Sequence, residues 1–186
     1  MRITDNYVFF YKSWLSNYQK TNIKVIWKDN EYNFVTTEQG FMFIKALTFG
    51  DDKTAKKILN TEDPNICRKL GRQVKGYNDK EWAKVRYDIF YMLNFEKYTQ
   101  DKELQKKLLD PKFDNKIFVE ASPIDRIWGV GYGENDDRIE YREFDWGRNY
   151  LGRIITNIRN RILLNKIEDP NWNIYDYWGK GDESDK

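Results

Sequence analysis

The sequence predicts an α+β fold: one helix-rich domain with a small antiparallel sheet. Three observations carry that prediction. β-branched and aromatic residues crowd two early segments, 7–11 and 23–35. From Thr36 onward apolar residues recur at helical spacing in one segment after another. The chain has 186 residues, 40% hydrophobic and 17% aromatic, enough for one core but too few for two full-sized domains.

The early strands are expected to form the sheet around a hairpin, with Asp29-Asn30 as the turn between IKVIWK and EYNFV. Thr36 and Gln39 fit a capping box, and Phe41, Ile44 and Leu47 then keep helical spacing, so a helix begins at about Thr37. Further helices are expected near 52–60, 65–74 and 79–98, broken by Asp63-Pro64 and by Gly76-Tyr77-Asn78. The last of these aligns Trp82, Val85, Ile89, Met92 and Phe95 on one stripe. Residues 101–109 read as a short helix, 117–121 as a strand, and Gly129, Gly131 and Gly133 as markers of an irregular loop. After a charged stretch, a final helix over about 148–165 carries Leu151, Ile154, Ile155, Ile158 and Ile162 on its apolar face. The domain therefore spans 1–165. Residues 166–186 form a tail, whose Trp172, Tyr175, Tyr177 and Trp178 are expected to pack on the body before a charged, frayed end.

Composition excludes several kinds of chemistry. With 32 basic and 30 acidic residues the formal charge is +2, short of the excess expected of a protein that grips nucleic acid mainly by its phosphates. There is no histidine, which removes Ser-His-Asp and Cys-His catalysis, imidazole bases and His-ligated metals. Acid and base work falls to Asp, Glu, Lys or Tyr. One cysteine, Cys67, permits no intrachain disulfide or Cys-rich zinc site and suits a reducing compartment. The opening residues lack a signal-peptide pattern, and no run approaches the ~20 apolar residues of a membrane span. A cytoplasmic protein with no membrane partner is expected.

Two regions offer reactive side chains. Glu38 and Lys45 lie seven residues apart on one predicted helix, nearly two turns, and so share a face. Exposed N–H groups in the first turn favour an ionised Glu38, suited to act as a base or to stabilise positive charge. The plainer alternative is an acidic residue that steadies a helix start, with Lys45 solvated. The second region, EASPIDRIWGVG from Glu120 to Gly131, runs from a strand into a polar turn and glycines that let backbone approach a ligand. Alternatively Asp125 caps a turn, Trp128 fills core, and Gly129 and Gly131 permit positive φ. GVGYGE lacks the context of a dinucleotide or phosphate-loop motif. Trp14, Tyr18, Trp82, Trp128 and Trp146 supply rings able to stack on a base.

Taken together these pieces resemble the NADAR, or YbiA-like, family, in consistent order from about Val8 to Leu164. The matching blocks are FFY at 9–11 with LSNY at 15–18; TEQGFMFIK at 37–45; Gly71-Arg72, Trp82 and Lys97; VEAS at 119–122 with Asp125 and WGVG at 128–131; and WGRNYLG at 146–152. The family's first helix usually reads EHYFQ where this chain has EQGFM at 38–42, a departure that bears on substrate choice.

The resemblance implies an N-glycosidase that cuts the bond between ribose C1 and an amino nitrogen without metal or nicotinamide cofactor. Two substrate classes follow: ADP-ribose on guanine in nucleic acid, with a link to ADP-ribosyltransferase toxin systems, or ribosylamino-pyrimidine phosphates of riboflavin synthesis. A non-catalytic ADP-ribose or nucleotide-binding module is a third reading. The resemblance places Glu38, Lys45 and Asp125 at the reaction centre. Glu38 and Asp125 would stabilise charge and donate a proton. Lys45 would attack an opened ribose as an amine or, more mildly, hold a phosphate or the ribose. Arg72 is matched to phosphate contact, Tyr11, Ser16, Asn17 and Asn149 to substrate and ribose, Trp82 or Trp128 to the base, and Gly129 and Gly131 to close backbone approach. Arg153, Arg159, Arg161 and Lys166 would give the last helix a basic surface for a polynucleotide, or merely a solvated face.

Overall fold

The computed structural model describes residues 1–168. Its strands are β1 (Arg2–Ile3), β2 (Tyr7–Phe10), β3 (Ile23–Trp27), β4 (Asn30–Phe34) and β5 (Ile117–Glu120). Its α-helices are α1 (Thr37–Thr48), α2 (Asp52–Leu59), α3 (Pro64–Gly71), α4 (Asp79–Gln100), α5 (Lys102–Leu108) and α6 (Tyr150–Glu168). Short 3-10 turns lie at Pro111–Phe113 and Glu143–Asp145. The α+β class and the helix order follow the sequence prediction.

The single antiparallel sheet does not. β3 and β4 form an isolated antiparallel hairpin, while β2 pairs antiparallel with β1 and parallel with β5 in a separate sheet. Parallel pairing requires a long crossover, and α1 to α5 supply it. It also requires cover on both faces. Val8, Phe10 and Phe118 point into the main core, whereas Phe9 and Val119 point into a second cluster with Val130 and Ile139. The hairpin turn is Lys28-Asp29, one residue earlier than expected. Both residues have positive φ, 49° and 63°, as a two-residue type I′ turn demands.

Side-chain caps set the helix starts. Thr36 accepts from the backbone N–H of Gln39 at 3.1 Å, and Asp51, Asp63, Asn78 and Asp101 act alike for α2 to α5. Only half of the capping box forms. The Gln39 side chain accepts from Val35 N at 2.9 Å and donates to the carbonyls of Ile58 and Thr61, tying the end of α2 to α1. A Cβ on Gly40 would stand 2.7 Å from Leu93 and 2.9 Å from Phe34, so the missing side chain lets α1 press against α4 and β4.

α4 runs through the middle, burying Trp82, Ile89, Met92 and Phe95 as expected, and also Phe90, Leu93, Lys97 and Tyr98. The apolar face of α6 is buried as predicted. Its basic surface is not as predicted, for Arg159 is buried. It donates to Leu108 O at 3.0 Å and pairs with Asp114. Arg161 reaches Tyr91 Oη at 3.3 Å and lies over the Phe95 ring. Arg153 alone of the four is seen exposed, and the Lys166 side chain lies outside the described residues. α6 continues through Glu168, past the boundary expected at 165. The aromatic residues of the tail lie outside the described residues. Among the described residues no helix is long and apolar enough to cross a membrane.

Candidate active site

Because β2 and β5 run parallel, the loops that follow them leave the same edge of the sheet. They enclose, with α1 and α3, a cavity of about 790 Å³. The loop at 11–19 forms one wall, α1 a second, Arg68 and Gly71 of α3 with the capping Arg72 a third, and the segment from Glu120 to Trp128 a fourth, with Phe90 and Leu151 behind.

Of the residues singled out from sequence, Glu38, Lys45, Asp125, Tyr11, Ser16, Asn17, Arg72 and Trp128 all line this cavity. Four do not. Trp82 is core, its ring packed on Phe41 and Phe49. Asn149 is buried at φ 50° and spends its amide on β5, accepting from Glu120 N at 2.9 Å and donating to Phe118 O at 3.0 Å. A Cβ at Gly129 would lie 2.7 Å from Glu120 O, so this glycine admits the neighbouring strand rather than a ligand. Gly131, at φ +82°, is covered by the Arg126 side chain.

Glu38 sits in the first turn of α1, buried, and accepts a hydrogen bond from Asn17 Nδ2. The backbone answers in the other direction, with Asn17 O accepting from Glu38 N and Thr37 Oγ1, each at 3.1 Å. Burial pushes the Glu38 carboxyl up to about 7; Arg68, the Asn17 bond and Arg72 pull the other way, and Asp125 adds to the rise. The ionised state expected at a helix start is thus offset by desolvation, and the group is poised near neutrality.

Glu120, unassigned from sequence, ends β5 inside the cavity. Its Oε2 is buried with no hydrogen-bond partner, and burial, then Asp125 and Glu38, push the carboxyl up to about 8 against the pull of Arg68. An acid at the last position of a buried strand, followed by a polar turn, was the available signal. Asp125 does cap its turn, its Oδ1 accepting from Ile127 N at 2.8 Å and Trp128 N at 2.9 Å, and it faces the cavity as well.

Lys45 reaches the cavity two turns along α1, as the spacing predicts. Its Nζ donates to Gly71 O at 2.9 Å and lies 4.0 Å above the Tyr77 ring centre. Burial lowers its pKa, while Asp79 and Glu38 act against that. Arg68, also unassigned from sequence, stands one turn before Arg72, so that both guanidinium-bearing residues line one wall. The departures at Gln39 and Gly40 point away from the cavity. Met42, where the family motif carries glutamine, is the one that lines it. Among the described residues no three His, Cys, Asp or Glu are grouped so as to hold a metal ion.

The family model of the NADAR domain matches residues 3–163. A protein of Acanthamoeba polyphaga mimivirus named N-glycosidase R617 is 36% identical over 166 residues, covering 84% of this chain and 96% of the relative. The maize chloroplastic riboflavin biosynthesis protein PYRR is 26% identical over 171 residues, covering 85% of this chain but only 25% of that protein. The NMR structure of Escherichia coli YbiA superposes with a TM-score of 0.68 at 24% identity, covering 90% of this chain and 91% of YbiA, a likeness of fold.

Proposed function

The chain belongs to the NADAR family, and from that premise we propose that it removes ADP-ribose from guanine in nucleic acid by hydrolysing the bond between ribose C1 and the guanine amino nitrogen. The coarser activity is that of the family relatives: the protein is an N-glycosidase, a hydrolase of N-glycosyl bonds.

One observation carries the finer reading. Three carboxyl-bearing residues, Glu38, Glu120 and Asp125, meet in a cavity whose other walls offer Arg68, Arg72 and Lys12. As the C1–N bond breaks, its electron pair goes to nitrogen and positive charge spreads over C1 and the ring oxygen. A carboxyl protonated near neutral pH, Glu38 or Glu120, supplies the proton the nitrogen takes. Asp125 faces the cationic sugar, water adds to C1, and the proton that water loses restores the carboxyl that protonated the nitrogen. A sugar monophosphate needs one cation, whereas a diphosphate is served by two arginines one turn apart. Tyr11, Trp14 and Tyr18 add rings for the distal adenosine, and the cavity volume lies within the range of drug-sized ligand sites.

Lys45 offers a covalent variant of the same reaction. On a ring-opened sugar its neutral amine adds to C1, the protonated guanine amine departs, and water hydrolyses the resulting Lys45 imine to aldehyde and free lysine. The name of the maize relative favours a second substrate, a ribosylamino-pyrimidine phosphate with the same kind of bond. On the first reading, the natural counterpart of this enzyme is an ADP-ribosyltransferase that installs the modification.

The test is a mass-spectrometric time course on a guanine-ADP-ribosylated oligonucleotide with wild type and Glu38→Gln. Wild type is expected to yield unmodified oligonucleotide and free ADP-ribose, and Glu38→Gln to be slower by a factor of ~10² or more. Release by neither, with turnover of the pyrimidine intermediates, would transfer the assignment to the second substrate. Borohydride during turnover is expected to leave a sugar adduct on Lys45; its absence at full turnover would leave only the direct route.

A further inference from the structure

Lys97, in the last turns of α4, is wholly buried, and burial lowers its pKa to about 7 while Asp101, which makes no ion pair with it among the described residues, acts against that. Its Nζ donates instead to three consecutive backbone carbonyls, Trp14 O at 3.1 Å, Leu15 O at 3.5 Å and Ser16 O at 2.9 Å. Three successive carbonyls of the cavity wall thus turn toward this one side chain. The next residue is Asn17, whose amide bonds Glu38 and whose carbonyl is held by the start of α1.

We propose that Lys97 is a positioning residue for the reaction: its Nζ, through the carbonyls of residues 14–16, holds Asn17 against Glu38 and so orients the Glu38 carboxyl toward substrate. The proposal rests on Glu38 belonging to the reacting site. A buried amine with no ion-pair partner at contact distance is costly, and an apolar side chain of similar volume would fill the same space. What an apolar side chain would not do is fix the loop from inside at a point one residue from Asn17.

Two readouts separate this role from packing alone. The first is steady-state turnover of the ADP-ribosylated oligonucleotide by Lys97→Met, Asn17→Ala and the double variant. Lys97→Met is expected to lower kcat roughly tenfold with KM within about twofold, Asn17→Ala to do the same, and the double variant to be no slower than either single one. The second is the carboxyl-carbon NMR titration of Glu38, which needs no substrate and stands even if wild type proves inactive on this one. Arg68, Arg72, Asp125, Glu120, Lys45 and Tyr18 act on Glu38 in every variant. Loss of the Asn17 bond alone should raise its midpoint, equally in Lys97→Met and Asn17→Ala. A Lys97→Met protein with a lowered Tm, wild-type kcat and an unmoved Glu38 midpoint would overturn the proposal, as would multiplicative effects in the double variant. Should Lys97→Met fail to fold, Lys97→Gln keeps a donor but is too short for all three carbonyls. Wild-type kcat and midpoint in that variant would equally overturn it.

Discussion

Glu38 stands in two opposed fields, the N-terminal dipole of α1 with two nearby arginines on one side and the loss of solvent on the other. Burial wins, raising the carboxyl from its ordinary 4.5 to about 7. Between those values the folded protein holds a proton that the unfolded chain has released, so stability falls as pH rises through that window and stays lower above it. Glu38→Gln removes this dependence while keeping an acceptor for Asn17. In urea denaturation the variant is expected to match wild type near pH 4 and to exceed it at pH 8 by on the order of 2–3 kcal/mol. A variant less stable than wild type at pH 8 would refute the assignment. The shared face of Glu38 and Lys45 was legible in the sequence because helical spacing is a local property. The protonation state was not, since it depends on Asn17, Arg68 and Asp125, which approach from three other segments. Glu120 escaped for a related reason: in IFVE the acid reads as the solvent end of a strand until the loop that buries it is known.

Among elements, the helices were readable because each N-cap lies beside the helix it starts. The pairing of β2 with β5 was not, for the two strands are separated by five helices and nothing local specifies that they meet in parallel. Asn149 satisfies the other edge of β5 from a third place, bonding one amide group to each side of Val119. Asn149→Ala leaves a donor at Glu120 and an acceptor at Phe118 unmatched and puts alanine at a φ of 50°, where asparagine is tolerated better. The expected cost is about 3 kcal/mol, a fall in Tm of roughly 6–12 °C. Asn149→Gly separates the two causes. It relieves the backbone but restores neither bond, so it should remain well below wild type, and a glycine variant of wild-type Tm would show that φ alone mattered.

Across the whole molecule, the site draws on residues from Tyr11 to Leu151, so no single block of sequence contains it. The molecule also limits how a polynucleotide can be held. Net charge is only +2, Arg159 is consumed by Asp114 and the end of α5, and Arg161 is engaged with Tyr91 and Phe95, so α6 offers no continuous basic strip among the described side chains. Cationic side chains are gathered instead at the cavity, in Lys12, Lys45, Arg68 and Arg72. On the proposed substrate, recognition is therefore expected to fall on the two phosphates of the ADP-ribosyl group and not on the phosphodiester chain. Each phosphodiester neutralised along a single strand steepens the fall of log(kcat/KM) with log salt concentration by roughly 0.7. ADP-ribosylated guanosine, which has no flanking phosphodiesters, is expected to show the same slope as the modified oligonucleotide. An oligonucleotide slope steeper by more than about 2 would mean at least three further phosphates in contact, and would place a polyanion track on a surface that the charge distribution gives no reason to expect.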